Sequence, residues 1–226
     1  MIGLIFIAAA VASEPTPSAP ASDRAATVTP TPPQSGSTGE TLYTGAQIKA
    51  MGGKPPKLLT APIEPNVDAL YQQGIQGEMY FVGYVGADGK MHDVILPLSS
   101  RSKELDAVGL TLVNASTFTP ATDASGKPIA AKVTFPVFLW KDSMMNAAFL
   151  KKSCAQFIID ADWFTKAFPE KRPDDYRGWL LFSGMVFASS YYTQSRTAGS
   201  SPKFEDVYAR CKAHTNKSFA NTYMGK

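Results

Sequence analysis

The chain has 226 residues, a net charge of +3 and a hydrophobic content of 44%, which is enough to fill one large or two small packed cores. Its charge is uneven: residues 141–226 carry 13 Lys and Arg against 8 Asp and Glu, whereas residues 1–140 carry 9 against 11. These excesses are too small and scattered to favour nucleic-acid binding. The two histidines leave little material for a nucleophilic triad or a metal site, so we expect no enzyme, no cofactor and no metal.

The N-terminal residues form an unbroken apolar run from Ile2 to Ala12, about half the length that a helix needs to cross a bilayer. A short apolar core followed by small residues is typical of a secretory signal peptide, and the small residues between Ala10 and Ser13 fit a cleavage site. No Lys or Arg precedes the run, although signal peptides normally begin with one. Residues 1–13 are therefore a signal peptide, part of a membrane anchor, or neither.

Residues 14–54 are rich in Pro, Ser and Thr, most of all between Thr29 and Pro33. A segment of this composition cannot bury enough apolar surface to offset the entropy lost on ordering. Its proline content favours a semi-extended chain over a collapsed one. The sequence therefore predicts a disordered linker over residues 14–54.

Residues 55–140 begin with a short predicted helix that ends at Gly74. Two predicted strands follow on either side of Asp88-Gly89, a dipeptide that favours a β-hairpin turn. Neither face of the first of these strands is plainly polar, so we expect it to lie centrally in a sheet or to be partly covered on both sides.

A second predicted helix has Ser102 as its N-cap and an apolar stripe that includes Leu105, Gly109 and Leu112. The third predicted strand contains Pro136, which has no backbone N–H to donate, so this strand should lie at an edge or have that side unpaired. The order helix, strand, strand, helix, strand favours an α+β domain with a three-stranded antiparallel sheet and helices on one face.

Residues 141–226 are predicted to form an all-α extension. Apolar residues recur at steps of three and four between Ala147 and Phe164, and Ser201-Pro202 opens a last helix. Between them, Pro173 starts a helix that is apolar nearly all round, which favours a buried central position. This helix is shorter than the about 20 residues that a helix needs to cross a membrane.

The two cysteines, Cys154 and Cys211, fall on the apolar faces of separate predicted helices. In an exported chain, a disulfide between them is the natural interpretation. The alternative is that both are buried free thiols. A disulfide would close a long loop and would account for a large share of the stability of a small domain.

A set of positions between residues 55 and 140 carries a family pattern: Gly77, Asp88-Gly89, Ser99-Ser100, Leu105-Asp106, Phe118, Pro120-Ala121, Gly126 and Pro136. In order and spacing, this set resembles the C-terminal domain of TonB-family energy transducers. The Pro-rich stretch before it looks like the periplasm-spanning linker of the same family. The resemblance covers about 85 residues and does not extend into the helical extension.

The resemblance implies a small domain in the periplasm of a Gram-negative bacterium, linked to energy-dependent transmembrane transport. In the family, a short extended peptide from an outer-membrane transporter adds as a strand to the edge of the last β-strand, where backbone hydrogen bonds supply the affinity. An inner-membrane motor complex is a further partner if the chain is anchored. Mapped onto this sequence, the partner-binding edge strand comprises Lys132, Val133, Thr134, Phe135, Val137 and Phe138.

The sequence also departs from the family. Family members that engage the motor carry a histidine within the membrane span, whereas His92 and His214 lie far from the N-terminus. Ser116 stands where the family usually has a tryptophan. A second hypothesis is therefore a released periplasmic adaptor or scaffold that binds an envelope protein without transmitting force. Under either hypothesis, a charged residue or proline at Val133 or Phe135 is expected to abolish peptide binding.

Overall fold

The computed structural model of the protein describes residues 34–35, 39, 41–63, 65–144, 148–192 and 202–225. The predicted signal or anchor, residues 1–13, lies outside the described residues. Up to residue 140 the elements are, in chain order, β1 (Gln34–Ser35), β2 (Thr41–Leu42), α1 (Gly45–Ala50), β3 (Lys57–Thr60), α2 (Asp68–Gln72), β4 (Gly77–Val85), β5 (Met91–Leu98), α3 (Lys103–Ala115), β6 (Thr117–Thr119), β7 (Ala121–Thr122), β8 (Pro128–Ile129) and β9 (Ala131–Leu139).

The main sheet is three-stranded and antiparallel, in the order β5-β4-β9. β4 lies in its centre, as expected for a strand with two apolar faces, and pairs with β9 without interruption from Gly77 opposite Leu139 to Val85 opposite Ala131. The hairpin between β4 and β5 turns where predicted, with Gly89 in the left-handed region at a φ of 71°. The described residues also form three smaller antiparallel pairs, β1-β2, β3-β6 and β7-β8, and a few isolated β-bridges.

The core of this part lies between α3 and one face of the main sheet. α3 begins as predicted, because the Ser102 hydroxyl accepts a hydrogen bond from the backbone N–H of Leu105 at 3.3 Å. Gly109 brings the helix close to the sheet, since a Cβ there would lie 2.8 Å from Met79 Sδ and 3.0 Å from the Phe81 ring. The buried cluster consists of Val67, Met79, Phe81, Val85, Met91, Leu105, Leu112, Val113, Phe118, Phe135, Val137 and Leu139.

The last part of the predicted linker is structured. Thr44 caps α1 by accepting a hydrogen bond from Gln47 N, and the Gln47 side chain accepts one from Thr44 N in return. Ile48 of α1 is fully buried against Ala131 at the start of β9. The proline-rich composition that dominates residues 14–41 concealed this short capped helix, so the predicted linker boundary at residue 54 falls too late.

Beyond residue 140 the described secondary structure is helical, as predicted. A 3₁₀ turn (Ala148–Lys151) leads into α4 (Cys154–Ala167), and a second 3₁₀ turn (Pro173–Asp175) precedes α5 (Arg177–Tyr192), α6 (Phe204–Ala213) and α7 (Phe219–Tyr223). These helices enclose a second core, rich in aromatic rings, in which Phe157 stacks on Phe219 at 4.3 Å between centroids. The two cores lie in different parts of the chain, and the overall class is α+β, with small antiparallel sheets and several helices.

α5 is buried on one face only. Trp179 and Phe182 lie in the helical core, but Leu180 is 52% exposed and Phe187 is 70% exposed. The prediction of a buried central helix therefore holds for one face only, because nearly uniform apolarity does not reveal which face a neighbour covers. None of the helices in the described residues is both long and apolar enough to cross a membrane.

Candidate functional site

The predicted binding strand, β9, lies at an edge of the main sheet. Its inner side pairs with β4 along its whole length. On its outer side, Tyr43 forms a single parallel bridge to Ala131: Tyr43 N donates to Ala130 O at 3.1 Å, and Lys132 N donates to Tyr43 O at 2.9 Å. Among the described residues, no strand pairs with the outer side of β9 beyond this bridge.

The bridge to Tyr43 shows which backbone groups face outward. Because Lys132 N points away from β4 and the direction alternates along a strand, the backbone groups of Thr134, Pro136 and Phe138 also face outward. Pro136 therefore lacks its N–H on the outer side, and the ladder to β4 stays complete. This arrangement accounts for a proline in the middle of the strand, and it leaves Thr134 and Phe138 as the outward N–H donors of the open part of the edge.

The side chains of the predicted binding strand divide between the two faces of the sheet. Phe135 and Val137 are buried in the core against α3, and Val133 packs against the same core. Lys132, Thr134 and Phe138 lie on the opposite face, where Lys132 is exposed and the other two are half-buried. Proline or charge at Val133 or Phe135 would disrupt the ladder to β4 or the core, so these positions test folding before they test binding.

The outer face of the main sheet carries exposed apolar side chains beside Glu78, Lys132 and Thr134. Tyr80 and Phe138 meet edge to face with centroids 6.2 Å apart, and Ile95 and Leu98 of β5 are 62% and 43% exposed. Burial, followed by the nearby Glu78 carboxylate, raises the pKa of Tyr80. The open edge of β9 thus borders an accessible surface of aromatic and aliphatic side chains.

The predicted disulfide is present. Cys154, at the start of α4, is bonded to Cys211 of α6, with the two Cα atoms 4.8 Å apart and both residues fully buried. The bond links two helices within the helical core and lies outside the predicted binding strand. It is therefore a structural element of the extension.

A buried polar cluster joins the sheet to the helical extension. Asp142 follows β9 and is fully buried; its carboxylate accepts a hydrogen bond from Gln76 Nε2 at 3.1 Å, and its N–H donates to Gln76 Oε1 at 3.0 Å. Lys152 Nζ lies 2.7 Å from the same carboxylate and also binds Asp160 of α4 and the hydroxyl of Tyr176. The Tyr176 hydroxyl in turn donates to Asp142.

The cluster holds two carboxylates against one ammonium group. Burial raises the pKa of Asp160; the charge of Lys152 opposes this shift and that of Asp142 adds to it. Burial also raises the pKa of Tyr176 well above its ordinary value, reinforced by the two carboxylates, so its hydroxyl stays protonated. Asp142, Lys152 and Asp160 are all buried, and their contacts link the sheet to the helical core.

A cavity lies between the sheet and the extension, beside this cluster. Trp140, which follows β9, and Trp163 and Phe168 at the end of α4 form its aromatic walls, and its volume is about 120 Å³. Gln76 and Tyr176 line it as well as belonging to the polar cluster. Trp140 and Trp163 are half-buried, whereas Trp179 packs in the helical core.

The sequence predicted the disulfide pair and the edge position of β9, whereas binding at β9 stays a prediction; Tyr43, the polar cluster and the cavity were not predicted. Tyr43 lies within the predicted linker, and its pairing with β9 leaves no periodic pattern. Asp162, two positions after Asp160, points elsewhere: it accepts a hydrogen bond from the Tyr208 hydroxyl and helps to raise the pKa of Tyr208 to about 12. No pattern in the sequence indicates that Asp160 and Asp142 bind the same lysine.

The sequence matches no family model, and a search of curated proteins likewise finds no match.

Proposed function

We propose that residues 55–140 form a TonB C-terminal-like domain that binds an extended segment of an outer-membrane transporter, or of another cell-envelope protein, by strand addition at β9. The observation that carries the proposal is the outer side of β9 from Thr134 to Phe138, whose backbone groups have no strand partner among the described residues. Each backbone hydrogen bond to an added strand contributes about 0.5–1.5 kcal/mol, and alternate side chains provide selectivity.

The contacts among the residues that carry the family resemblance support the proposal. Asp106 near the start of α3 accepts hydrogen bonds from the Ser99 hydroxyl at 2.6 Å and from Ser100 N at 2.8 Å. Gly89 accepts a hydrogen bond from Phe118 N at 2.8 Å. The positions that carry the family resemblance thus make hydrogen bonds at the two ends of β5 and at the start of α3. These contacts are a physical reason for the same residues to occur together.

Pro136 supports an edge with a defined pattern of hydrogen bonds. An added strand finds donors at Thr134 and Phe138 but none at Pro136, so its own backbone must tolerate one missing bond there. The bridge from Tyr43 occupies the start of the edge and sets the limit of the added strand at Lys132. The binding segment therefore pairs with residues 133–139.

Two variants at one position test the proposal. Thr134→Pro removes an outward N–H and leaves the ladder to β4 intact, whereas Thr134→Ala keeps the N–H and serves as the matched control. Synthetic peptides from the N-terminal segments of outer-membrane transporters of the same bacterium serve as probes in a fluorescence anisotropy titration. We expect Thr134→Ala to bind like the parent and Thr134→Pro to lose at least fivefold in affinity, with parent-like circular dichroism for both.

Equal affinity of the two Thr134 variants, or no binding of any such peptide by the parent, would contradict strand addition at β9. Whether the protein transmits force is a separate question that depends on residues 1–13. Membrane fractionation and intact mass of the protein from its native locus answer it. A soluble form that begins near Ser13 supports an adaptor, and a membrane-bound form that retains Met1 supports an energy transducer.

A further inference from the structure

The cavity between the sheet and the helical extension is large enough for one aromatic ring, and aromatic side chains line it. Its volume of about 120 Å³ is close to the ~150 Å³ of an engineered protein cavity that admits benzene. Trp140, Trp163 and Phe168 provide apolar walls, and Leu98 of β5, which is 43% exposed, borders the opening. A benzene-sized or branched aliphatic group would bury its surface here.

Three charged side chains line the same cavity: Glu78 of β4, Lys171 after α4, and Arg177 at the start of α5. In the part of the chain that the structure describes, none of the three takes part in an ion pair. The fourth charged lining residue, Asp175, is already bound by Arg172 at 3.1 Å. Glu78 is half-buried at the cavity wall, so an ammonium group of a ligand in the cavity could pair with its carboxylate.

Arg177 is held in position for an anion. Its Nε donates to the Asp142 carbonyl at 3.0 Å, and its guanidinium group lies over the Trp140 ring at 4.7 Å. This geometry fixes the plane of the group and leaves its two terminal amino groups for a carboxylate, which guanidinium binds in a bidentate manner. Lys171 lies over the Phe168 ring at 4.9 Å and adds a second positive charge on that side of the cavity.

We infer that this cavity binds a free α-amino acid with an aromatic or large aliphatic side chain. The carboxylate of the ligand pairs with Arg177, its ammonium group pairs with Glu78, and its side chain packs against the aromatic wall that Trp163 and Phe168 form by their edge-to-face contact. A simple aromatic anion would leave Glu78 without a cation, and a simple amine would leave the terminal amino groups of Arg177 without an anion. The inference rests on the residues that line the cavity, which adjoins the end of β9, and it does not depend on strand addition.

Three probes that share one ring test the inference by isothermal titration calorimetry on the full chain. L-phenylalanine carries both charges, 3-phenylpropionate lacks the ammonium group, and phenethylamine lacks the carboxylate. We expect L-phenylalanine to bind at least tenfold more tightly than either analogue, because only it satisfies both ends of the site. Absence of binding by L-phenylalanine, or equal affinity for L-phenylalanine and one of its analogues, would overturn the inference.

A pair of isosteric variants separates charge recognition from simple burial of a ring. Glu78→Gln keeps the size of the side chain and removes its charge, and Glu205→Gln makes the same change on α6, outside this cavity. We expect Glu78→Gln to weaken L-phenylalanine binding about tenfold and not to weaken 3-phenylpropionate binding, whereas Glu205→Gln changes neither. Unchanged affinity of Glu78→Gln for L-phenylalanine, in a protein with parent-like thermal unfolding, would refute the assigned role of Glu78.

Discussion

The buried cluster around Lys152 predicts that removing its cation destabilises the protein far more than neutralising one of its anions. Lys152→Met replaces the ammonium group with an apolar side chain of similar length and leaves Asp142 and Asp160, both fully buried, with no positive partner in the cluster. Asp160→Asn also ends the ion pair between Asp160 and Lys152, but it leaves one carboxylate facing one ammonium group. Both variants lose the ion pair between Lys152 and Asp160, but Lys152→Met also loses the contacts of Lys152 with Asp142 and Tyr176, and the two variants differ in the charge that remains.

The expected magnitudes follow from the cost of uncompensated buried charge. Removing one partner of a buried ion pair typically costs about 3–5 kcal/mol, so we expect Lys152→Met to lose at least this much of the free energy of unfolding at pH 7. For Asp160→Asn we expect a loss of about 1 kcal/mol or less, since burial already raises the pKa of Asp160 and thus opposes its charge. A typical domain has only about 5–15 kcal/mol of stability, so the difference is readily measured.

Urea unfolding followed by circular dichroism, at pH 7 and pH 5 and without reductant, measures both variants against the parent. A group whose pKa is raised in the folded state stabilises that state at low pH and loses this contribution as the pH rises through the raised value. The deficit of Lys152→Met should therefore be larger at pH 7 than at pH 5. Equal losses for the two variants at pH 7, or a deficit that does not shrink on acidification, would refute this account of the cluster.

Three further predictions concern the disulfide, two glycines and the pH dependence of the parent. Cys154→Ser opens the loop of 57 residues to Cys211 and should cost about 4 kcal/mol in denaturant unfolding, and reductant should destabilise the parent but not the variant. Gly89→Ala should lower the melting temperature by more than Gly126→Ala does. Both glycines have a positive φ, but only at Gly89 would the new Cβ clash with a backbone atom, the carbonyl oxygen of Phe118. Equal decreases in melting temperature for the two variants would contradict this prediction. In the parent, protonation of Asp160 stabilises the folded state below the unfolded-state pKa of this residue, and that contribution is lost as the pH rises through its raised folded-state pKa. Asp160→Asn should therefore flatten the dependence of the free energy of unfolding on pH between pH 4 and pH 7. An unchanged pH dependence would contradict this prediction.

Much of the α+β part could be predicted because its signals are local. Ser102 and the stripe behind it specify α3, Asp88-Gly89 specifies the hairpin, and Pro136 restricts β9 to an edge, with all three visible within a few residues. The predicted binding residues lie on one strand, but their division between core and outer face follows from pairing with β4, and only Tyr43 reveals which backbone groups face outward.

The junction between the two cores could not be predicted in this way. Asp142 and Tyr176 are 34 residues apart in the chain, and their contact depends on how the extension packs against β4. Isolated polar residues do not recur at a regular spacing that would reveal their burial. Nothing in the sequence therefore distinguishes the buried Asp160 from the exposed Asp162 two positions later. The exposed face of α5 could not be predicted either. Phe187 and Phe182 are equally apolar in sequence, and only packing leaves Phe187 exposed and Phe182 buried.

The position of Pro136 also bears on solubility. A sheet edge with open backbone groups can pair with another copy of itself, and repeated pairing of this kind leads to aggregation. In β9 the missing N–H lies in the middle of the outward-facing groups, so a second β9 placed alongside would lack hydrogen bonds at its centre. The same proline that leaves the sheet intact on its inner side thus makes the outer edge of β9 a poor template for copies of itself.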